Sequence, residues 1–352
     1  MNHDRTVAPQ ASPDESPISP VLRPGSFAEF VGQTRVVDNL QVAIKAAQER
    51  KESLEHLLLS GPPGLGKTTL AHIVAQEMEK KLIASSGPAL ERAGDLMGIL
   101  TNLAAGDILF IDEIHRLNRA VEEYLYPAME EFAVDFVLDR GAYARTVRLK
   151  VPRFTLIGAT TRTGLMTAPL RTRFGLQFHL ELYGVKELAE IIRRAATKLN
   201  VGLEEGAAEI LARRSRGTPR VAVRLLRRAR DFAQVHGAGC VSQQMVNQAL
   251  EKLGVDEMGM DLLDRRLLTI LIDAYGGGPA GLNSLAASLG EEEDTLADVV
   301  EPFLLAGGFL ARTPRGRIAT KLAYQHLGKV FPAQTHMPEL FTESGNDSLS
   351  EA

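Results

Sequence analysis

Tryptophan is absent from the 352 residues, and cysteine occurs once, at Cys240. A single thiol excludes an intrachain disulfide framework and a thiolate zinc cluster. Aromatic residues make up only 5% of the chain against 45% hydrophobic residues, so any core has to be built mainly from aliphatic side chains. Long apolar runs are missing as well. Stretches such as Ile108 to Ile111 fall far short of the roughly 20 residues that cross a bilayer, and no membrane span is expected. The N-terminal segment lacks the basic start and apolar core of a secretory leader, which implies a cytoplasmic protein. Positive charge is not in excess: 40 Lys and Arg against 44 Asp and Glu leave a net charge of −4. That excludes attraction of the whole surface to nucleic acid or anionic lipid, though not a local basic patch.

What is present points to a multidomain globular protein, since roughly 150 residues make a domain. Residues 1–20 carry Pro9, Pro13, Pro17 and Pro20 among serines and acids, and 331–352 are similarly polar and aperiodic. Both are expected to be disordered tails. Between them, Val37, Leu40, Ile44 and Ala47 recur at helical spacing, followed by three short buried-strand runs: Leu57–Leu59, Ile108–Ile111 and Phe154–Gly158. Such alternation predicts a parallel sheet covered by helices on both faces, an α/β domain over 21–183. After Tyr183-Gly184 the strand signals stop. Leu188, Ile191, Ala195 and Leu199 begin a small helical domain over 184–254. Residues 255–330 then read as three helices and a hairpin around Thr313-Pro314-Arg315-Gly316, the order of a winged-helix module. No internal repeat is evident.

The chemistry concentrates at strand ends. Gly61-Pro62-Pro63-Gly64-Leu65-Gly66-Lys67-Thr68 fits the P-loop pattern, follows a strand and opens a helix that runs toward Met78. Its glycines let successive N–H groups curl around phosphate oxygens, and the helix adds its positive N-terminus. Lys67 would neutralise the phosphates of ATP, and the Thr68 hydroxyl would take a Mg²⁺ coordination position. The second strand ends in Asp112-Glu113, whose side chains should leave a strand on opposite sides. Asp112 is the candidate for holding Mg²⁺ and Glu113 for polarising the attacking water. A third strand ends in Thr160-Thr161, where a hydroxyl could orient that water, and spacing alone does not choose between the two.

Together with Leu170-Arg171-Thr172-Arg173-Phe174-Gly175 and Gly217-Thr218-Pro219-Arg220, these motifs resemble the AAA+ ATPases. More narrowly, the strings GPPGLGKTTLA, GATTR, RFG and RTPRGR resemble the RuvB family of branch-migration motors, over nearly all of residues 21–330. The resemblance implies ATP and Mg²⁺ as cofactors. It implies Thr161 as first sensor, Arg173 as an arginine finger that reaches a neighbouring subunit's nucleotide, and Arg220 as second sensor. Nucleotide contacts are implied for Leu22, Arg23, Gly64, Lys67, Thr68, Thr69 and Tyr183, and for Glu130, Glu131 and Phe132. Arg171 and Arg173 are two apart and point differently, and sequence physics alone does not say which is the finger. Implied partners are Holliday-junction DNA, a RuvA-like junction-binding protein, a RuvC-like resolvase and other copies in a homohexameric ring.

Residues 134–151 read as a hairpin with its turn at Asp139-Arg140-Gly141 and Val147, Leu149 and Val151 on one face. By the same resemblance it docks the RuvA-like partner, although Ala142-Tyr143 stand where a proline-containing tip of small residues is expected. In 260–329 nine acids oppose seven basic residues, but from Ala306 to Lys329 there are five Lys or Arg and no acid. Arg312 and Arg317 flank the turn and match DNA-contacting positions of the family. The acids Glu291 to Asp294 argue against a recognition helix in a major groove and for backbone contact. Two functions compete: a ring-forming DNA motor, and an initiator-type ATP switch that loads onto DNA and turns over slowly. The hairpin and the RTPRGR wing favour the motor. A protein unfoldase lacks its aromatic-hydrophobic-Gly pore loop.

Overall fold

The computed structural model describes residues 20–137, 146–236 and 239–332. Nearly all of both expected tails, and the hairpin tip with Asp139-Arg140-Gly141 and Ala142-Tyr143, lie outside the described residues. The chain divides into two compact units, Met1–Leu262 and Leu263–Ala352.

The α/β part of the first unit carries, among the described residues, β1 (Leu57–Ser60), β2 (Leu82–Ser86), β3 (Ile108–Asp112), β4 (Ala133–Val137), β5 (Thr146–Lys150), β6 (Thr155–Thr160) and β7 (Leu176–His179). Five of them form one parallel sheet in the order β2-β3-β6-β1-β7, while β4 and β5 pair with each other as an antiparallel hairpin. The expected strands are its three inner members. Both edge strands went unannounced, because β2 ends in Ser85-Ser86 and β7 alternates apolar residues with Gln177 and His179. Register places Ser60 beside Thr160 and Ile111 beside Gly158, so the carboxyl ends of β1, β3 and β6 lie together.

Alternation along the strands splits the core in two. Leu57, Leu59, Ile108, Phe110, Ile157 and Ala159 pack with helices Thr34–Arg50 and Lys67–Glu77 on one face. Leu58, Leu109, Ile111 and Leu156 pack on the other with helix Arg119–Glu130 and with Leu170 and Phe174. In helix Thr34–Arg50 the buried stripe is Val36, Leu40, Ile44 and Ala47; Val37, expected in it, is only half-buried. Hairpin residues Val147 and Leu149 are exposed, whereas Val151 lies past the end of β5 and is buried, so the expected single apolar face does not run through all three.

Helices Val185–Lys198, Ala207–Arg213, Pro219–Val235 and Gln243–Lys252 make up the helical part of this unit. It is not wholly helical as expected: β8 (Gly202–Leu203) and β9 (Cys240–Val241) pair in parallel. Two-residue strands carry no periodicity that a sequence could display.

The second unit has helices Leu262–Asp273 and Leu282–Leu289, a helical stretch in three pieces (Glu293–Thr295, Leu296–Val300, Glu301–Ala306), and the wing. The wing is β10 (Leu310–Thr313) and β11 (Gly316–Ala319), joined through Pro314-Arg315 as expected. Ala280 adds to it by exchanging both backbone hydrogen bonds with Arg317. Gly316 is required there: its φ is +140°, and a Cβ would meet the Ala280 carbonyl oxygen at 2.4 Å.

Candidate functional site

The loop after β1 is closed from several directions. Gly61 N donates to Thr160 O (3.2 Å), tying it to β6. Gly66, with φ +103°, caps helix Lys67–Glu77, and Gly64 has φ +80°, both in the left-handed region that favours glycine. Lys67 is 8% exposed, and its Nζ donates to Gly61 O (2.7 Å) and Pro62 O (2.9 Å). Thr68 and Thr69 are half-buried in the first helical turn, whose N–H groups have no partner within the helix.

Residues distant in sequence converge on the same loop. Arg220 N donates to Gly64 O (3.3 Å), and a Cβ on Gly64 would lie 2.9 Å from the Arg220 Cβ. Pro219 occupies the first position of that helix, as the sequence implied, which puts Arg220 in its first turn. Tyr183 is buried, its hydroxyl donates to Leu65 O (3.1 Å), and burial pushes its phenol well above the ordinary value. Leu22 is buried in the core. Arg23 Nη1 lies 3.4 Å from Nε2 of His72, on helix Lys67–Glu77, and burial followed by the Arg23 charge lowers the imidazole's pKa.

At the end of β3, Asp112 Oδ1 accepts from Glu113 N (3.0 Å). Glu113 is not on the strand. Its φ of 50° and ψ of 42° are left-handed, so a turn of the chain rather than strand alternation separates the two acids. A non-glycine residue in that region costs about 1–3 kcal/mol, a kind of strain that clusters at functional sites. His115, missed in the sequence although it follows Glu113 by two positions, has a side chain only 4% exposed. Its Nδ1 shares a 3.0 Å hydrogen bond with Thr160 Oγ1, and its Nε2 is 3.8 Å from Glu113 Oε2.

The two threonines differ. Thr160 is buried, and besides meeting His115 its Oγ1 accepts from Arg162 N (3.0 Å). Thr161 Oγ1 is buried without any hydrogen-bond partner among the described residues. A buried orphan hydroxyl beside a glycine-lined phosphate loop, a buried lysine and an Asp carboxylate is a donor set that fits a nucleoside triphosphate with a hard divalent cation. Thr161→Val is expected to lower the ATP turnover number by about 10²-fold or more with little effect on ATP binding. Thr160→Val should instead lower thermal stability, through loss of hydrogen bonds worth about 1–3 kcal/mol. Steady-state kinetics and melting curves on both variants check the pair, and reversed phenotypes would make Thr160 the sensor.

Arg173 stands apart from this loop. Its Nη1 donates to Pro169 O (2.7 Å), its Nε is 3.1 Å from Glu130 Oε1, its Nη2 donates to Glu130 Oε2 (3.3 Å), and its guanidinium lies 4.5 Å from the centre of the Tyr126 ring. Glu131 pairs with Arg148 of the hairpin, and Phe132 packs edge-on against Phe154. The three residues of the Glu130-Glu131-Phe132 triplet therefore have different neighbours within the chain. Only Glu130 meets another candidate residue.

In the second unit Arg312 and Arg317 face each other across the wing. Both reach Glu301, a buried acid the sequence did not single out. Arg312 is 58% exposed and Arg317 only 19%.

Three family models match successive parts of the chain: the Holliday junction DNA helicase RuvB P-loop domain over residues 22–180, the RuvB AAA lid domain over 183–256 and the RuvB C-terminal winged helix domain over 257–328. The Holliday junction branch migration complex subunit RuvB of Anaeromyxobacter sp. (strain K) is 56% identical over 328 residues, spanning 93% of this chain and 96% of its own length. The subunit of the same name from Chloroflexus aurantiacus (strain ATCC 29366 / DSM 635 / J-10-fl) is 54% identical over 335 residues, spanning 95% and 96%. The solved Thermotoga maritima RuvB Holliday junction branch migration motor superposes with a TM-score of 0.82 at 52% identity, over 89% of this chain and 100% of that one.

Proposed function

The chain belongs to the RuvB family, an AAA+ ATPase that drives branch migration of Holliday junctions, and from that premise we propose how its residues share the work. The observation that carries the proposal is the grip on the P-loop: Arg220 N, in the helical lid, holds Gly64 O, and Tyr183 Oη, at the junction with the lid, holds Leu65 O, which couples the phosphate loop to the lid. We keep the division into 21–183, 184–254 and 255–330, which the limits of the three matched domains support.

Lys67 and the first-turn amides bind the triphosphate. Leu22, Arg23 and Tyr183 enclose the nucleotide, while Thr69 continues the phosphate cradle. Thr68 and Asp112 would hold Mg²⁺, which would supply positive charge against that of the phosphates. Glu113 polarises the attacking water, Thr161 orients it, and Arg220 transmits the state of the phosphates to the lid. Arg173 serves the site of a neighbouring copy: its helix packs with the core on one face of the sheet, and the Lys67 helix packs on the other. The assembly this requires is a ring, which we take to be a homohexamer. Further proposals are a RuvA-like partner at the 134–151 hairpin, a RuvC-like resolvase in the larger complex, DNA held by Arg312 and Arg317, and a cytoplasmic location. No described helix is long and apolar enough to cross a membrane.

A strand-displacement assay on a synthetic four-way junction tests the reading. ATP-dependent displacement is expected, enhanced by a junction-binding partner, with ATPase activity stimulated severalfold by DNA. Nucleotide-dependent DNA loading without displacement or stimulation would point to the initiator-type switch instead.

A further inference from the structure

Glu301 opens helix Glu301–Ala306, and its side chain is 1% exposed, a rare condition for an acid unless it is paired. Both wing arginines end on it. Arg312 donates from Nε to Oε1 (3.3 Å) and from Nη2 to Oε2 (2.6 Å), and Arg317 donates from Nε to Oε1 (2.8 Å) and from Nη2 to Oε2 (3.3 Å). Burial alone would raise the carboxyl's pKa, but hydrogen bonds and charge from Arg317 and Arg312 outweigh it and hold Glu301 below the ordinary carboxylate range.

The arrangement answers a problem set by the wing itself. Arg312 and Arg317 are direct register partners on β10 and β11, so two positive side chains share one face of the ribbon and repel. One ionised carboxylate between them removes the repulsion and leaves a net positive charge. A guanidinium is a planar fork of five N–H donors. Each arginine uses its Nε–Nη2 edge on Glu301, and its Nη1 amino group is left outside that pair. The backbone of Arg317 is held as well, by hydrogen bonds of 2.8 and 2.9 Å exchanged with Ala280.

We propose that Glu301 is a positioning residue of the DNA interface, whose carboxylate holds the two wing arginines side by side so that their remaining N–H groups meet phosphate oxygens of duplex DNA. The inference rests on the reading of Arg312 and Arg317 as DNA contacts. It differs in sign from the simpler role of an acid that dilutes a basic patch. If Glu301 only dilutes charge, its removal makes the wing more positive and DNA binding tighter. If it positions, removal weakens binding although the net charge rises.

The test uses the full chain and a labelled duplex of arbitrary sequence, titrated by anisotropy across a salt series. Five proteins are compared: the parent, Glu301→Gln, Glu301→Asp, the Arg312→Ala/Arg317→Ala double variant, and that double variant carrying Glu301→Gln. Glu301→Gln is expected to bind about tenfold more weakly, the worth of a displaced charge-assisted hydrogen bond. Its log affinity against log salt should be shallower by about 0.9 for each phosphate no longer neutralised, a slope that a purely structural role would not move. Glu301→Asp keeps the charge but withdraws it by one carbon–carbon bond, and should also weaken binding. The triple variant should bind no more weakly than the double. Parent-like or tighter binding by the Glu301 variants, beside a weakened double variant, overturns the inference alone. A double variant that binds like the parent overturns the DNA reading and the inference with it. Melting curves identify variants that fail to fold. If neither Glu301 variant folds, Arg312→Lys, which keeps the charge without the second edge, should weaken binding to the same degree, and parent-like binding by it overturns the proposal.

Discussion

Lys67→Ala protein is expected to lose ATP binding, whereas Glu113→Gln should bind ATP and hold it unhydrolysed. The Lys67 ammonium is nearly buried and donates to carbonyls of its own loop, so it stands where phosphate charge has to be met. Charge-assisted hydrogen bonds are worth about 1.5–3 kcal/mol each. Two of them to phosphate oxygens amount to roughly 10²- to 10⁴-fold in Kd. Glu113→Gln keeps the shape of the side chain and removes the group that takes the proton, a loss of about 10²- to 10⁴-fold in turnover. Titration with a fluorescent ATP analogue and single-turnover hydrolysis separate the two phenotypes. Hydrolysis by Glu113→Gln within a few-fold of the parent rate would make another residue the proton acceptor.

Arg173→Ala should bind ATP normally and turn it over about 10³- to 10⁵-fold more slowly, the usual worth of an arginine finger. Its surroundings hold the guanidinium in place. Tyr126 lies beneath the guanidinium and donates to buried Glu122, which also accepts from Thr167, the residue that caps the short helix Ala168–Thr172 just before Arg173. Mixing Arg173→Ala with Lys67→Ala protein should restore part of the activity, because some interfaces in mixed assemblies join an intact Lys67 to an intact Arg173. No recovery in assemblies whose mixing is verified by mass spectrometry would argue for action within one subunit.

The inner strands and the phosphate loop were legible in the sequence because both are local. A fully buried strand is a continuous apolar run, and a P-loop needs its glycines and lysine at fixed offsets. Edge strands β2 and β7 were not, since each packs polar positions against only one neighbour. The choice between Thr160 and Thr161 depends on where a strand ends and on His115, 45 residues earlier. Glu113 lies past the end of the strand in a left-handed turn, so the strand alternation expected to separate it from Asp112 does not apply there. Glu301 looked like one acid among the nine of its module because its partners arrive 11 and 16 residues later, on a ribbon that only folding brings to it.

On the role proposed for Arg173, the two-faced sheet also limits how copies of this chain can assemble. A protein that displays a phosphate loop on one side and the complementing arginine on the other joins its copies heterologously, head to tail, so no isologous twofold pair satisfies both halves of the contact. An open row of such subunits always contains one fewer complete site than it has members, with an idle loop at one end and an idle arginine at the other. Closure removes both defects at once. Hydrolysis per subunit should therefore rise with protein concentration until rings close and stay constant beyond that point.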